Sequence, residues 1–350
     1  MPPPENQPTI HFNTLYTYRI YPLSSNVCYH EIVVENKEVI SMNVGIIGFG
    51  SMGRMMAEKF AASGLVSKNS LLLASRSPEK LQDAKKWATV AGSNSELAAS
   101  SDIVFLCLRP FDLKGVLEEI RDVLRPETLV VSLNGSVSFA NLEKSLTGGA
   151  RRLAKVHAGE AGGSGAVDDD TVTVPESASA RSGGTPARRL AKVIPSVTAE
   201  VDRSQTLVCY NDNVTTEDKG NLKRLLSCMG DIIELPENEM GMGSELVSCM
   251  PGFIASIFDV LVKAAEEHTK IPHDQVVRMV LQTMIATGEL MLKKDMSFED
   301  VVKRVATPGG ITEEGTKVVY ENFPETARVL FEKTLQKRKM TAEKAEAQFE

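Results

Sequence analysis

The stretch Val44-Gly45-Ile46-Ile47-Gly48-Phe49-Gly50-Ser51-Met52-Gly53 carries the pattern that decides the fold. It opens with an apolar run typical of a buried strand, and a helical apolar pattern continues as far as Phe60. Between the two, Gly48 permits a tight turn, Gly50 lets a pyrophosphate approach the backbone, and Gly53 lets helix and strand pack closely. The sequence therefore predicts a dinucleotide-binding turn between strand and helix. Its residues are Gly48, Phe49, Gly50, Ser51, Met52 and Gly53.

Strand and helix patterns alternate after this turn, which predicts parallel strands joined by crossover helices. From residue 244 onward the pattern is helical only. The predicted fold class is α/β, with an N-terminal Rossmann dinucleotide-binding domain followed by an all-helical domain. The predicted strands are Ser70–Ala74, Ile103–Leu108, Thr128–Leu133, Thr206–Tyr210 and Asp231–Leu235, and the predicted helices are Pro78–Ala88, Asp112–Leu124, Ser138–Leu146, Thr216–Met229, Ser244–His268, His273–Leu292, Ser297–Val305, Gly310–Asn322 and Pro324–Lys339.

Residues 147–186 interrupt this pattern with Gly, Ser, Ala and Asp and few large apolar side chains, so we expect a disordered insertion. A near-duplicate flanks it, Ala150–Val156 and Ala187–Val193, and we expect the second copy to form a strand because Ile194-Pro195 follows it directly. The ordered part of the chain is predicted to begin at Met42. The predicted domains are an extension over 1–41, a Rossmann domain over 42–238, a helical domain over 239–339 and a tail over 340–350.

Composition excludes several classes of function. The 350 residues carry a net charge of −7 without a basic cluster, which argues against nucleic-acid binding. The five cysteines form no Cys-x-x-Cys pair, so we expect reduced thiols in a cytoplasmic protein and no metal site. The apolar stretch Leu246–Leu261 contains Pro251 and Asp259, which predicts a buried helix and no membrane partner.

The end of the second predicted strand indicates which dinucleotide binds. NAD sites usually carry an acidic residue there for the ribose hydroxyls, whereas this chain has Ser75-Arg76-Ser77. Arg76 and the hydroxyls can bind a 2′-phosphate, and no carboxylate stands at this strand end to repel it. The sequence favours NADP, with an exposed loop arginine as the alternative.

Two further segments are candidate site loops. Leu108-Arg109-Pro110 ends the third predicted strand, where ligands of open α/β sheets lie, although an X-Pro turn without function gives the same pattern. Thr307-Pro308-Gly309-Gly310-Ile311-Thr312 places glycine amides and two hydroxyls at a helix start. By itself, this second segment is also consistent with a simple helix cap.

The glycine turn in Asn43–Lys80 and the segment Thr307–Glu321 together resemble the pyrroline-5-carboxylate reductases, which carry a Ser/Thr-Pro-Gly-Gly-x-Thr signature at a late helix start. The resemblance extends from Met42 to about Lys339. It implies an NADPH-dependent reduction of a cyclic imine carboxylate, 1-pyrroline-5-carboxylate, to L-proline. It also implies interlocked helices in a homodimer or a higher homo-oligomer.

The resemblance assigns roles to individual residues. Ser75 and Arg76 fall at the family's NADP-phosphate position, Asn94 at its adenosine side, and Leu108 to Pro110 at the cofactor edge. On the substrate side it implies Thr312 as the hydrogen-bond donor to the ring nitrogen, with Thr307 and Asp295 beside it. The amides of Gly309–Ile311 would hold the substrate carboxylate.

Two loops depart from the family. Ile194-Pro195-Ser196-Val197-Thr198 replaces Met-Pro-Asn-Thr-Pro, and Ser248-Cys249-Met250-Pro251-Gly252-Phe253 replaces Gly-Ser-Gly-Pro-Ala-Tyr. Similar segments occur in the late-competence proteins of the family, whose role is not proline synthesis. The alternatives are therefore a non-catalytic NADP-binding regulator and a reductase of a different imine. A β-hydroxyacid dehydrogenase is disfavoured, because Lys263 is followed by Glu266 rather than Asn.

Apolar side chains on the first two C-terminal helices are too numerous to be buried within one protomer, which also favours a dimer. They are Ile254, Ile257, Phe258, Val260, Leu261, Met279, Leu281, Met284 and Leu290.

Overall fold

The structure is a computed structural model and describes residues 10–12, 16–20, 30–33, 39–147 and 187–349. Three N-terminal strands, β1 (Ile10–Phe12), β2 (Tyr16–Ile20) and β3 (His30–Val33), pair antiparallel in the order β1-β2-β3. The prediction that order begins at Met42 was therefore wrong. Ile40, two residues earlier, is already buried in the core, and its N–H donates to the carbonyl of Leu65.

A second sheet of eight strands forms the centre of the N-terminal half, in the order β11-β10-β9-β8-β7-β4-β5-β6. Strands β4, β5, β7 and β8 are buried along their whole length, as expected for parallel strands covered by helices on both faces. The strands are β4 (Val44–Ile47), β5 (Leu71–Ala74), β6 (Thr89–Val90), β7 (Ile103–Leu106), β8 (Leu129–Ser132), β9 (Arg189–Ile194), β10 (Ser204–Tyr210) and β11 (Gly230–Glu234).

One strand pair departs from the predicted parallel arrangement. β10 runs antiparallel to β9 and parallel to β11, so these last two strands point opposite to the rest of the sheet. Only residues 195–203 join β9 to β10, with one 3₁₀ turn at Val197–Val201. A parallel crossover needs about a dozen residues or more, so a link this short returns the chain antiparallel.

Five helices cover this sheet, and one predicted helix is replaced by shorter turns. Residues 78–88 form two 3₁₀ turns, Pro78–Leu81 and Asp83–Lys86. Their buried residues, Leu81 and Ala84, are three apart, which matches the three residues per turn of a 3₁₀ helix. The helices are α1 (Ser51–Ala62), α2 (Asn94–Ser100), α3 (Pro110–Ile120), α4 (139–147) and α5 (Thr216–Leu226).

The second copy of the near-duplicate forms β9, which confirms that prediction. Its residues pair with β8 in the register Leu129↔Arg189, and Leu190, Ala191 and Val193 are fully buried. The first copy, Ala150–Val156, and nearly all of the insertion predicted to be disordered lie outside the described residues.

The C-terminal half is helical, as predicted, but with different bounds. A continuous helix contains α6 (Met240–Ser244), a π-helical turn (Glu245–Cys249) and α7 (Met250–Glu266). The two helices predicted on either side of Pro324 are one, because a proline removes a single backbone donor while the turns around it stay bonded. The remaining helices are α8 (His273–Lys294), α9 (Phe298–Val305) and α10 (Ile311–Glu346).

The predicted tail over 340–350 is also corrected. α10 continues through it, and the 3₁₀ turn Ala347–Phe349 packs on the sheet half of the molecule. Phe349 is buried, and Lys144 donates to its carbonyl oxygen at 2.7 Å. Lys114 of α3 donates to the carbonyl of Gln348.

The helical half leaves large apolar side chains uncovered in the single chain. Leu292 is 87% exposed and Ile311 is 94% exposed, and the apolar residues Val260, Leu261 and Met279 are exposed as well. The prediction that Leu246–Leu261 forms a buried helix is therefore wrong for the isolated chain. Exposed apolar side chains in such number on one set of helices indicate an interaction surface.

The same region contains, within the described residues, one helix long and apolar enough to cross a membrane. It spans Glu237–Glu266 with a mean hydropathy of 1.7 in its most apolar part, of which 11% is buried. The sequence predicts no span for Leu246–Leu261, because Pro251 and Asp259 interrupt its apolar run, whereas the helix of the structure is longer than this stretch. Length and composition alone do not separate a membrane span from an interface helix.

An ion pair between a buried lysine and an exposed glutamate joins the two halves. Lys192 of β9, whose side chain is 3% exposed, donates to Glu237 at the start of the helical half. The same carboxylate oxygen accepts the N–H of Phe139 at 2.9 Å, and the Lys192 ammonium lies 4.8 Å from the Phe139 ring centre. A buried ammonium requires such a partner, so Glu237 fixes where the helical half begins.

We expect Glu237→Gln to lower the free energy of unfolding by about 2 kcal/mol, because it leaves the Lys192 charge buried without a counter-charge. Glu239→Gln is the matched control, since it removes the same charge from an exposed position of the same turn. Chemical denaturation measures both variants. Equal losses in the two would contradict this role for Glu237.

Candidate active site

The glycine turn lies so close to neighbouring backbone that two of its positions admit no side chain. Gly48 has φ +99°, and a Cβ there would lie 2.4 Å from the carbonyl oxygen of Cys107. A Cβ at Gly53 would lie 2.1 Å from the carbonyl oxygen of Gly48. A Cβ at Gly50, in contrast, would meet nothing within 4 Å, so this backbone faces open space that a phosphate can enter.

The start of α1 is suited to an anion. Gly50 is its N-cap, and neither a capping side chain nor an acidic residue occupies its first turn in the described chain. The first N–H groups of a helix have no partner within the helix and carry its positive dipole end. The turn therefore offers a pyrophosphate both N–H donors and a favourable charge.

A cavity of about 570 Å³ opens above this turn, between the ends of β4, β5 and β7. Eight of the twelve predicted cofactor residues line it, namely Gly48, Phe49, Gly50, Ser75, Arg76, Asn94, Leu108 and Arg109. Ser51, Met52, Gly53 and Pro110 are not among its lining side chains. The lining also contains Ser77 and Lys80, and residues that the sequence did not suggest, Phe111, Asp112, Gly115 and Val116 of α3.

Asp112 corrects the expectation that no carboxylate faces Arg76. Its oxygens Oδ1 and Oδ2 accept from Nη1 and Nη2 of Arg76 at 2.9 Å and 3.1 Å. The expectation considered only the end of the second strand, whereas this carboxylate comes from the first turn of α3. An acidic residue at a helix start was the available signal, since the helix dipole favours it there.

Asn94 and Cys107 of the cavity are constrained by their surroundings. The amide nitrogen of Asn94 donates to Glu119 of α3 at 2.8 Å. Burial raises the pKa of the Cys107 thiol to about 12, so this cysteine stays protonated and is poorly suited to nucleophilic chemistry.

The predicted substrate residues lie outside this cavity in the single chain. Thr307, Thr312 and Asp295 are all exposed and belong to the helical half. Asp295 ends α8 in the left-handed conformation, with φ +50°. The structure brings these three residues to the exposed helical surface and does not place them beside the cofactor turn.

The helix start at α10 differs in detail from the expected carboxylate site. The N–H of Gly309 donates to Glu313 at 2.6 Å, and the N–H of Gly310 donates to the carbonyl of Thr307 at 2.8 Å. The amides of the first helical residues, Ile311 and Thr312, are then the ones left for a ligand.

The two departing loops have defined local structure. Ser196 receives the N–H of Thr198 at 3.4 Å and donates its own N–H to Ser204 at 3.1 Å, so it stabilises the turn between β9 and β10. The other loop begins within the π-helical turn, where Glu245 is buried and accepts from Arg338 at 2.8 Å. A π-turn inside a helix often marks a functional position.

The fold and the site define a dinucleotide-binding oxidoreductase with a helical oligomerisation region. Residues 43–135 match the family model described as NADP oxidoreductase, coenzyme F420-dependent, and residues 237–341 match pyrroline-5-carboxylate reductase dimerisation. These matches confirm the predicted resemblance to the pyrroline-5-carboxylate reductase family. The predicted fold class, a Rossmann half followed by helices, is confirmed.

Individual relatives cover nearly the whole chain. It is 26% identical to pyrroline-5-carboxylate reductase 3 of Bacillus subtilis over 86% of this chain and 97% of that protein. It is 20% identical to ComE operon protein 4 of the same organism over 84% of this chain and 94% of that protein. The pyrroline carboxylate reductase of Plasmodium falciparum, solved with NADP bound, shares the fold at a TM-score of 0.68 and 21% identity, over 87% of this chain and all of that chain, 100%.

The second and third glycines of the turn, Gly50 and Gly53, differ in the effect expected from an alanine. Gly50→Ala should leave thermal stability unchanged and lower dinucleotide affinity about 10-fold or more, because its methyl group fills the space open to the pyrophosphate. Gly53→Ala should lower the free energy of unfolding by about 1–3 kcal/mol, because its methyl group meets backbone. Thermal unfolding and calorimetric titration measure the two effects. A stability loss at Gly50 would show that its surroundings are closed.

Proposed function

We propose that this protein reduces the cyclic imine 1-pyrroline-5-carboxylate to L-proline with NADPH. The observation that carries the proposal is the occurrence of an uncapped, cation-lined dinucleotide turn in one chain with a Thr-Pro-Gly-Gly-Ile-Thr helix start inside a pyrroline-5-carboxylate reductase dimerisation region. Two relatives that cover most of the chain, from Bacillus subtilis and Aquifex aeolicus, are reductases of this name.

Different groups of cofactor residues would bind different parts of the dinucleotide. Gly48–Gly53 and the start of α1 would hold the pyrophosphate, Arg76 with Ser75 the 2′-phosphate, and Asn94 the adenosine side. Leu108–Pro110 would edge the nicotinamide end. Reduced nicotinamide supplies a hydride. These residues would hold the nicotinamide ring in a fixed orientation in a partly enclosed site.

The substrate residues would act by position and hydrogen bonding. The Thr312 hydroxyl would bond the ring nitrogen of the imine, with Thr307 beside it and Asp295 on the substrate side. The amides of Ile311 and Thr312 would bind the substrate carboxylate at the start of α10. Glu313 takes the Gly309 amide, so the carboxylate would lie further into the helix start than the sequence suggested.

The dimerisation region supports a homo-oligomer. We infer that its unit is a dimer, in which the helices of one copy cover the exposed apolar surface of the other. The Rossmann domain would end near residue 238, and the helical domain would run to residue 346. Among the described residues, the thiols of Cys107, Cys209 and Cys249 form no disulfide, which supports a reducing compartment such as the cytoplasm.

A second candidate function is an NADP-binding regulator without turnover, or a reductase of a different imine. The similarity to ComE operon protein 4 supports this alternative, as do the altered loops at Ser196–Thr198 and Ser248–Phe253. The two candidates share the cofactor half and differ at the substrate.

NADPH oxidation with 1-pyrroline-5-carboxylate tests the reductase. We expect turnover, and we expect Thr312→Ala to lower kcat/KM about 10-fold or more while the Kd for NADPH stays unchanged, because one hydrogen bond to the reacting nitrogen is lost. Thr326→Ala, an exposed threonine of the same helix, is the matched control. NADPH binding without turnover on this or related imines would decide for the regulator.

Light scattering tests the assembly. A homodimer or a larger even assembly is expected at micromolar concentration, because the exposed side chains of Leu292 and Ile311 and their apolar neighbours would otherwise remain in water. A monodisperse monomer at that concentration would contradict the proposed dimer.

A further inference from the structure

We propose that Asp112 is a specificity-determining residue of the cofactor site, which competes with the 2′-phosphate of NADP for the guanidinium of Arg76. The inference rests on the proposed function, because it concerns the same cofactor site. The carboxylate of Asp112 reduces the preference for NADP over NAD and permits both cofactors to bind.

The contact between the two side chains is a two-point one. Asp112 Oδ1 lies 2.9 Å from Nη1 of Arg76, and Oδ2 lies 3.1 Å from Nη2. Both terminal nitrogens of the guanidinium therefore already hold an oxygen of the planar carboxylate. A phosphate seeking the same pair of nitrogens must displace Asp112, since that geometry serves carboxylate and phosphate alike.

A phosphate could instead use the free side edge of the guanidinium, at Nε and one terminal nitrogen. Two anions would then share one cation at short range, and their repulsion would offset part of the attraction. The Asp112 side chain is 28% exposed, compared with 80% for Arg76, so water screens the carboxylate less than it screens the guanidinium. In either arrangement, the 2′-phosphate binds more weakly than it would bind to Arg76 without Asp112.

The charges around the cavity support this role. Among its described lining residues the cations are Arg76, Lys80 and Arg109, and Asp112 is the single carboxylate. The surplus of positive charge suits a dinucleotide with an additional phosphate. Asp112 reduces that surplus at the one cation that the sequence assigns to the 2′-phosphate.

Asp112 also favours the binding of NAD. An acidic residue near the ribose 2′-hydroxyl is the usual device of NAD sites, because the carboxylate accepts a hydrogen bond from that hydroxyl. Here the carboxylate comes from the first turn of α3 instead of the end of β5, and it lines the same cavity. One residue would thus weaken the phosphate contact and favour the free hydroxyl.

The test uses the full-length protein and two cofactor fragments, adenosine 2′,5′-bisphosphate and 5′-AMP, which differ by the 2′-phosphate. Calorimetric titration gives the Kd of each. We expect Asp112→Asn, which keeps the shape and removes the charge, to tighten binding of the bisphosphate about 3- to 10-fold and to leave 5′-AMP unchanged or weaker. Glu118→Gln removes the same charge from an exposed position of α3 outside the cavity, and should change neither Kd.

The effect should depend on Arg76. In an Arg76→Gln background, Asp112→Asn should tighten bisphosphate binding by less than 2-fold, because the contested cation is gone. Thermal unfolding of each variant shows that it is folded. If Asp112→Asn weakens bisphosphate binding, Asp112 orients Arg76 for the phosphate and the proposal is overturned; an unchanged Kd, or binding of neither fragment to the unaltered protein, overturns it as well.

Turnover is measured separately, so the two proposals can fail independently. The expected fragment affinities in a protein that does not reduce cyclic imines would support the role of Asp112 and reject the reductase. Turnover with NADPH and an Asp112→Asn variant of unchanged fragment preference would support the reductase and reject the role of Asp112.

Discussion

The close approach of the glycine turn to the end of β7 is the constraint on which the cofactor half depends. The backbone at Gly48 lies against Cys107, and Gly53 lies against Gly48, at distances that exclude any Cβ. This contact fixes the start of α1 beside the cavity, because Gly50, the N-cap of α1, lines the cavity. The buried strands β4, β5, β7 and β8 then hold the surrounding loops at one sheet edge, where Ser75, Arg76 and Arg109 meet.

The charges at that edge come from elements far apart in the sequence. Arg76 follows β5, whereas Asp112 belongs to α3, which follows β7. The parallel order of β7, β4 and β5 brings these two elements to the same edge, since the carboxyl ends of parallel strands lie together. Cofactor preference therefore depends on a tertiary contact, and the residues after the second strand do not determine it alone.

Sequence patterns were most informative where burial alone determines structure. The runs at β4, β5, β7 and β8 are apolar and short, and their predicted bounds differ from the structure by one or two residues. β6, with two residues, is too short to give a period, and α2 was missed although Ser93 caps it by accepting the N–H of Glu96 at 3.0 Å. The Arg76–Asp112 pair and the antiparallel β10 depend on contacts and link lengths that no local pattern contains. Most of the cofactor loop was predictable because its glycines satisfy a backbone requirement, whereas the substrate residues were known only through the family resemblance.

The substrate residues and the exposed apolar surface belong to the same helices, which makes assembly and substrate binding one structural question. Asp295 ends α8, Thr312 begins α10, and the uncovered side chains of Leu292 and Ile311 lie within three residues of them. Burying such side chains stabilises a complex by roughly 1.5–3 kcal/mol each relative to exposure. In the proposed dimer, the copy that covers this surface would also surround the two hydroxyls and exclude water from them, which favours hydride transfer to an imine. The single chain builds the cofactor turn from its own core, whereas the residues predicted to bind substrate lie on the exposed helices that the proposed dimer would cover.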